Sequence, residues 1–182
     1  VEKGHTGQIR KAAELLANAK RPIIYSGGGV VLGKASEELT AFTKRTGFPI
    51  TNTLMGLGAY PGSDKQFLGM LGMHGTYEAN LAMHNCDLMI NVGARFDDRV
   101  TGRLDAFSPN SKKIHIDIDP SSINKIVQVD LPIIGDVKVV LKAIYNELKK
   151  QKINKFSLKS WWLEINKWKE KKSLSYSTDE II

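Results

Sequence analysis

The stretch DLMINVGARFDDRVTG, residues 87–102, is an apolar run that stops at a glycine and then sets two arginines and two aspartates before a second glycine. The apolar part is short and lacks a polar face, so it reads as a strand buried on both sides, the kind found in a parallel sheet sandwiched by helices. The charged part sits where such a strand ends, and in open parallel sheets ligands bind beyond the carboxyl ends of the strands. Fold and site are therefore read from the same sixteen residues, 87–102.

Working outward, the same alternation recurs. TGQIRKAAELLANAK (6–20) places Ile9, Ala12, Ala13, Leu15 and Leu16 at helical spacing, with Thr6 positioned to cap. RPIIYSGGGV (21–30) is a short strand running into glycines, GKASEELTAFTKRTG (33–47) a helix with Leu39 and Phe42 inward and Gly47 as its C-cap, and FPITNT (48–53) a second strand. Residues 54–75, LMGLGAYPGSDKQFLGMLGMHG, are dense in glycine and break all periodicity, which predicts a long irregular connection of the sort kept for function. Beyond it come a helix at 76–85, the strand that opens the section, KKIHIDID (112–119) as a strand, a turn or short helix at PSSINK (120–125), and a strand-like DLPIIG (130–135). DVKVVLKAIYNELKK (136–150) is an amphipathic helix on Val140, Leu141, Ile144 and Leu148. The expected fold is an α/β, three-layer Rossmann-like domain: a parallel sheet of about six strands covered by helices on both faces.

The 182 residues suffice for one domain with a proper core, here assigned to residues 1–150. Residues 151–182 read as a basic, Trp-containing linker or docking helix. Most of the net charge of +7 falls in residues 138–182, which hold 11 lysines against 5 acidic residues. Trp161, Ile165 and Trp168 share one helical face with lysines on the others, a stripe suited to burial rather than to stacking on bases, so nucleic acid is not the expected partner. No run reaches the roughly 18 apolar residues of a membrane helix, and the first residues have no signal-peptide core, so no membrane association and a cytoplasmic location are expected. The lone Cys86 excludes an internal disulfide. A start at Val1 and a stop at STDEII suggest a piece of a longer polypeptide.

Five strand ends carry the unusual residues: SGGG, NTLMG, GARFDD, DID and GDV. Each alone is explained by turns and caps, and Asp136 alone reads as an N-cap. GGGVVLG (27–33) offers bare backbone amides for phosphate, but Leu32 breaks the dinucleotide fingerprint. Ala35 stands where a P-loop needs a magnesium-binding hydroxyl, which argues against a nucleotide triphosphatase. Asp117 at a strand end suits ribose or ribityl hydroxyls, or is only a turn carboxylate ahead of Pro120. The four histidines have no metal-ligand spacing, and no serine sits in a nucleophile elbow, so neither a bound metal nor hydrolase chemistry is expected. In the opening stretch Arg95, beside the strand end, is placed to engage a first ligand, while Arg99 lies further out, so position hints at two roles.

Taken in order and spacing, GGGV, TLMGLG, LGMHG, GARFDDRVTG, IHIDID and GDV resemble the central domain of the acetohydroxyacid (acetolactate) synthase catalytic subunits, over about residues 1–150. The resemblance implies a three-domain enzyme that uses thiamine diphosphate and Mg2+ to condense pyruvate with pyruvate or 2-ketobutyrate, in isoleucine and valine biosynthesis. The central domain of that family binds FAD. By matching motif, the implied FAD contacts are Gly28 after the first strand, and Thr53 and Leu54 after the second. They continue through Leu71, Gly72, Met73 and His74 in the glycine-dense connection, and Gly93, Arg95 and Asp97 in the opening stretch. Asp117, Ile118, Asp136 and Val137 complete the set. The resemblance also implies that Arg99 holds the second ketoacid and that Met73 lines the same pocket, both completed by the first and third domains and by a partner subunit of a homodimer or higher oligomer, with a regulatory small subunit as a further partner. The thiamine-activating glutamate and the G-D-G motif belong to the other domains, so no catalytic residue and no activity are expected in this chain alone. The equivalent domain of glyoxylate carboligase, pyruvate oxidase or sulfoacetaldehyde acetyltransferase, and a non-catalytic nucleotide-binding module, stay as alternatives.

Overall fold

The computed structural model describes residues 3–154 and 156–171, without the side chains of Asp98 and Arg99. The elements in chain order are α1 (Thr6–Asn18), β1 (Pro22–Ser26), α2 (Gly28–Leu32), α3 (Ser36–Thr46), β2 (Ile50–Asn52), β3 (Phe67–Met70), α4 (Tyr77–Asn85), β4 (Leu88–Val92), α5 (Asp98–Thr101), β5 (Lys112–Asp117), β6 (Leu131–Ile134), α6 (Val137–Lys150) and α7 (Lys159–Lys169). All six strands are parallel, in the order β3-β2-β1-β4-β5-β6. The chain thus moves outward to β3, then crosses back over β1 to build the other half. The strand order reverses between β1 and β4, and that is where an open sheet parts its loops into a crevice.

Register explains why one row of the sheet is apolar from β2 to β6. Ile24 lies beside Ile50 on one side and Ile90 on the other, and the row continues through Ile114 to Leu131. This row and its neighbours form one face, buried under Ile9, Ala12 and Leu16 of α1, Leu39 and Phe42 of α3, and Val140, Leu141, Ile144 and Leu148 of α6. The alternate residues Ile23, Tyr25 and Met89 form the other face, buried under Ala79, Ala82 and Met83 of α4 and Trp161 and Ile165 of α7. Period-2 alternation sends every second side chain to the opposite layer, and both layers are covered by helices, so β1 and β4 carry apolar side chains on both faces, while β5 keeps Lys113, His115 and Asp117 on one of them.

Three local readings are refined. Thr6 opens α1 instead of capping it; the cap is His5, extended in backbone, whose Nδ1 accepts from the Gly7 N–H at 3.2 Å. The sixth strand, β3, arises inside the glycine-dense stretch. Its register against β2 shifts between Ile50 and Asn52, and Gly69 takes φ +90°, so neither alternation nor branched residues mark it. At the chain's far end the Trp161 indole N–H donates to the Pro22 carbonyl at 2.9 Å, and Trp162 donates to Gly47 at 2.9 Å. The tryptophan stripe therefore packs on this sheet, and Trp161 belongs to its core. Gly47 caps α3 at φ +70° and Asp136 caps α6 through the Val139 N–H, both as read from the sequence. No helix among the described residues is long and apolar enough to cross a membrane.

Candidate functional site

At the switch point the loops after β1 and β4 touch backbone to backbone. The Gly27 N–H donates to Val92 at 3.0 Å and the Gly29 N–H to Gly93 at 2.9 Å. A Cβ on Gly29 would lie 2.8 Å from the Gly93 Cα, and Gly93 itself sits at φ +61°, a conformation that side chains disfavour. Glycine is needed there because two main chains cross with no room between them.

Two asparagines buried in the strands brace the loops from below. Asn52 accepts from the Ser26 hydroxyl and donates to the Gly56 carbonyl at 2.9 Å, tying the β1 and β2 ends together. Asn91 accepts from the Ala94 N–H at 3.0 Å and donates to the Ala94 carbonyl at 2.8 Å, fixing the turn out of β4. Neither was named as a site residue from the sequence, although Asn52 opens the NTLMG strand end. The signal available was an amide side chain inside an otherwise apolar strand, where it must find internal partners.

Above this base lies a crevice of about 610 Å3. Of the residues expected to bind a cofactor, Gly28, Thr53, Leu54, Gly93, Arg95, Asp97 and Asp117 line it, contributed by the ends of β1, β2, β4 and β5. Leu32, Met55, Ala94 and Val100 also line it and were not foreseen. Leu32, Leu54 and Met55 are 86%, 68% and 76% exposed. The walls are thus apolar and open, which suits a flat ring system, with a few polar groups placed among them.

The charged groups among these lining residues are one guanidinium and two carboxylates. Arg95 and Asp97 stand 4.0 Å apart, both mostly exposed, a loose pair that leaves the arginine fork free for an anion. They also form one wall of a smaller adjoining cleft of about 150 Å3 with Asp119, Ser122 and Lys125. Asp117 is largely enclosed; its Oδ1 accepts from the Asp119 N–H at 2.9 Å. Below, the phenol of Tyr25 reaches the Arg95 carbonyl at 3.5 Å, and burial, then the charge of Asp97, push its pKa above the usual range.

The remaining expected residues lie elsewhere. Leu71 is buried against the α4 layer, and the Gly72 backbone is clamped by Asn80, which accepts from its N–H at 3.0 Å and donates to its carbonyl at 2.9 Å. Met73 and His74 are exposed on the turn that follows β3, with Met73 78% exposed. Ile118 is exposed beside Asp117, outside the crevice wall. Asp136 caps α6 through one carboxylate oxygen, and Val137 is buried in the core beneath it. Arg99 falls in α5, and its side chain lies outside the described residues. Among the described residues no group of three or more His, Cys, Asp or Glu side chains is gathered as a metal ion requires.

Residues 9–144 match the thiamine pyrophosphate enzyme central domain family. Over 175 residues, 96% of the chain, it is 53% identical to an acetolactate synthase large subunit of Buchnera aphidicola subsp. Schizaphis graminum. It is also 53% identical over 174 residues, 95% of the chain, to an acetolactate synthase large subunit of Haemophilus influenzae. Over 177 residues, 96% of the chain, it is 44% identical to the acetolactate synthase isozyme 3 large subunit of Escherichia coli. The chain spans 30%, 30% and 31% of the length of these relatives.

Proposed function

The chain belongs to the thiamine pyrophosphate enzyme central domain family, and on that premise we propose that it is the FAD-binding central domain of an acetolactate synthase large subunit. The whole enzyme condenses pyruvate with pyruvate or 2-ketobutyrate on the route to isoleucine and valine. It is a cytoplasmic homodimer or higher oligomer, with a regulatory small subunit as a further partner. Thiamine diphosphate with Mg2+ supplies the condensing chemistry there, on domains other than this one.

The observation that carries the proposal is convergence. Seven motif residues scattered from Gly28 to Asp117 line a single crevice at the switch point of the sheet. That crevice fits FAD in kind. Leu32, Leu54 and Met55 offer apolar surface to a flat ring, Asp117 accepts from ribityl or ribose hydroxyls, and Arg95 takes pyrophosphate. Its volume lies within the range of small-molecule sites, about 300–1,000 Å3. In this reading Leu71, Gly72, Met73, His74, Ile118, Asp136 and Val137 complete the cofactor's surroundings, and Arg99 with Met73 faces the second ketoacid.

Adding FAD to the purified chain and following flavin fluorescence and thermal stability tests the reading. Saturable binding with a rise in melting temperature is expected. A folded chain that binds no FAD would show that these residues do not make a competent site by themselves.

A further inference from the structure

β5 alternates strictly: Ile114 and Ile116 enter the layer under α1 and α6, whereas Lys113, His115 and Asp117 point to the other side. His115 is fully buried there, under the ring of Phe96, which meets it edge-on at 5.4 Å. Neither ring nitrogen has a hydrogen-bond partner among the described residues. An unpartnered imidazole in a core is uncommon enough to require a reason. Its register neighbour on β4, Asn91, spends both ends of its amide on Ala94, and its neighbour on β6 is Pro132, which has no N–H. Oδ2 of Asp117 lies 3.5 Å from Nε2. That separation is slightly longer than a hydrogen bond, so a bond requires the two groups to approach by a few tenths of an ångström.

We propose that His115 is the positioning residue for Asp117: its Nε2–H holds Oδ2 from behind while the Asp119 N–H holds Oδ1, so that the carboxylate presents its remaining lone pairs to a ligand hydroxyl in the crevice. The inference rests on the crevice being the FAD site. A carboxylate has two oxygens with about two lone pairs each, so one donor on each oxygen leaves capacity for the ligand. Anchoring both oxygens removes rotational freedom that binding would otherwise have to freeze.

The test compares His115→Leu, which removes the donor, with His115→Gln, which keeps an N–H, in the whole 182-residue chain. FAD affinity should fall about tenfold in the first and recover in the second, the worth of one hydrogen bond to a charged group. In an Asp117→Ala background His115→Leu should cost nothing further; an equal loss in both backgrounds would overturn the proposal. The pair is also readable without flavin, by 15N NMR of the unsubstituted chain at neutral pH. The Nε2-protonated tautomer supports the assignment and the Nδ1-protonated one overturns it. A chain with the expected tautomer that binds no FAD would keep the His115–Asp117 pair and remove only the flavin reading.

Discussion

The Gly29 N–H and the Gly93 carbonyl are joined at 2.9 Å, so that the β1 and β4 loops cross with only backbone between them. Gly29→Ala would place a methyl 2.8 Å from the Gly93 Cα, where no flexible side chain can give way. Destabilisation of about 1–3 kcal/mol is expected in chemical denaturation, with FAD affinity reduced alongside. A variant within about 0.5 kcal/mol of the parent would mean the crossing is looser than described.

Trp161 fills the second core layer and its indole donates to Pro22. Trp161→Ala should cost about 3–5 kcal/mol. Trp161→Phe keeps a ring but loses the bond and should cost less. Trp162→Ala, at a half-buried position, serves as the comparison and should fall below Trp161→Ala. Equilibrium unfolding in urea decides the order.

Asp64 organises the turn ahead of β3, accepting from the Tyr60 hydroxyl and the Gln66 N–H, each at 2.9 Å, and pairing with Lys44. Lys44 holds its carboxyl below the usual range against the opposing effect of burial, with Gln66 and Tyr60 adding to the lowering. A carboxyl depressed in the folded state stabilises fully above its unfolded value, near 3.9, and that contribution is lost as pH falls from there through the folded value. Asp64→Asn should therefore reduce stability at neutral pH by about 1–2 kcal/mol and flatten the stability profile below about pH 4. A parallel offset from the parent at every pH would contradict the assignment.

Burial pushes the Cys86 thiol up to about 11 and leaves it no exposed surface. The thiolate is the nucleophile, so alkylation by iodoacetamide at neutral pH should be negligible in the folded chain and complete in denaturant. Mass spectrometry reads both. Fast labelling under native conditions would place Cys86 outside the core.

In the proposed full-length enzyme, Arg99→Ala should raise the requirement for the second ketoacid while leaving FAD occupancy nearly unchanged. Steady-state kinetics with flavin content measured on the same preparation separates the two. Lost flavin with normal ketoacid kinetics would reassign Arg99 to the cofactor.

Five of the six strands were legible, some from an apolar run left by burial on both faces, as at LMINV (88–92), and β5 from its alternation of apolar and polar residues. β3 was not, because its four residues, Phe67–Met70, are interrupted by Gly69 at φ +90° inside a glycine-dense stretch that hides a strand's alternation. The site divides in the same way. Gly28, Thr53, Arg95 and Asp117 stand at strand ends, and strand ends can be located from periodicity alone. The bracing by Asn52 and Asn91 and the exposure of Leu32 and Met55 depend on which loops meet, a property of strand order that local sequence does not carry. Asp136 illustrates the opposite case: its role as a helix cap was readable locally and is what the structure contains.

The bond from Trp161 to Pro22 also bears on how the domain comes into being. A ribosome delivers the chain from its amino end, so β1 emerges early and its partner on α7 emerges after every other element described. Until then Ile23, Tyr25 and Met89 have only part of their eventual cover. Within this domain the strand made first is among the last to be sealed, and its apolar face stays open until Ile165 has emerged.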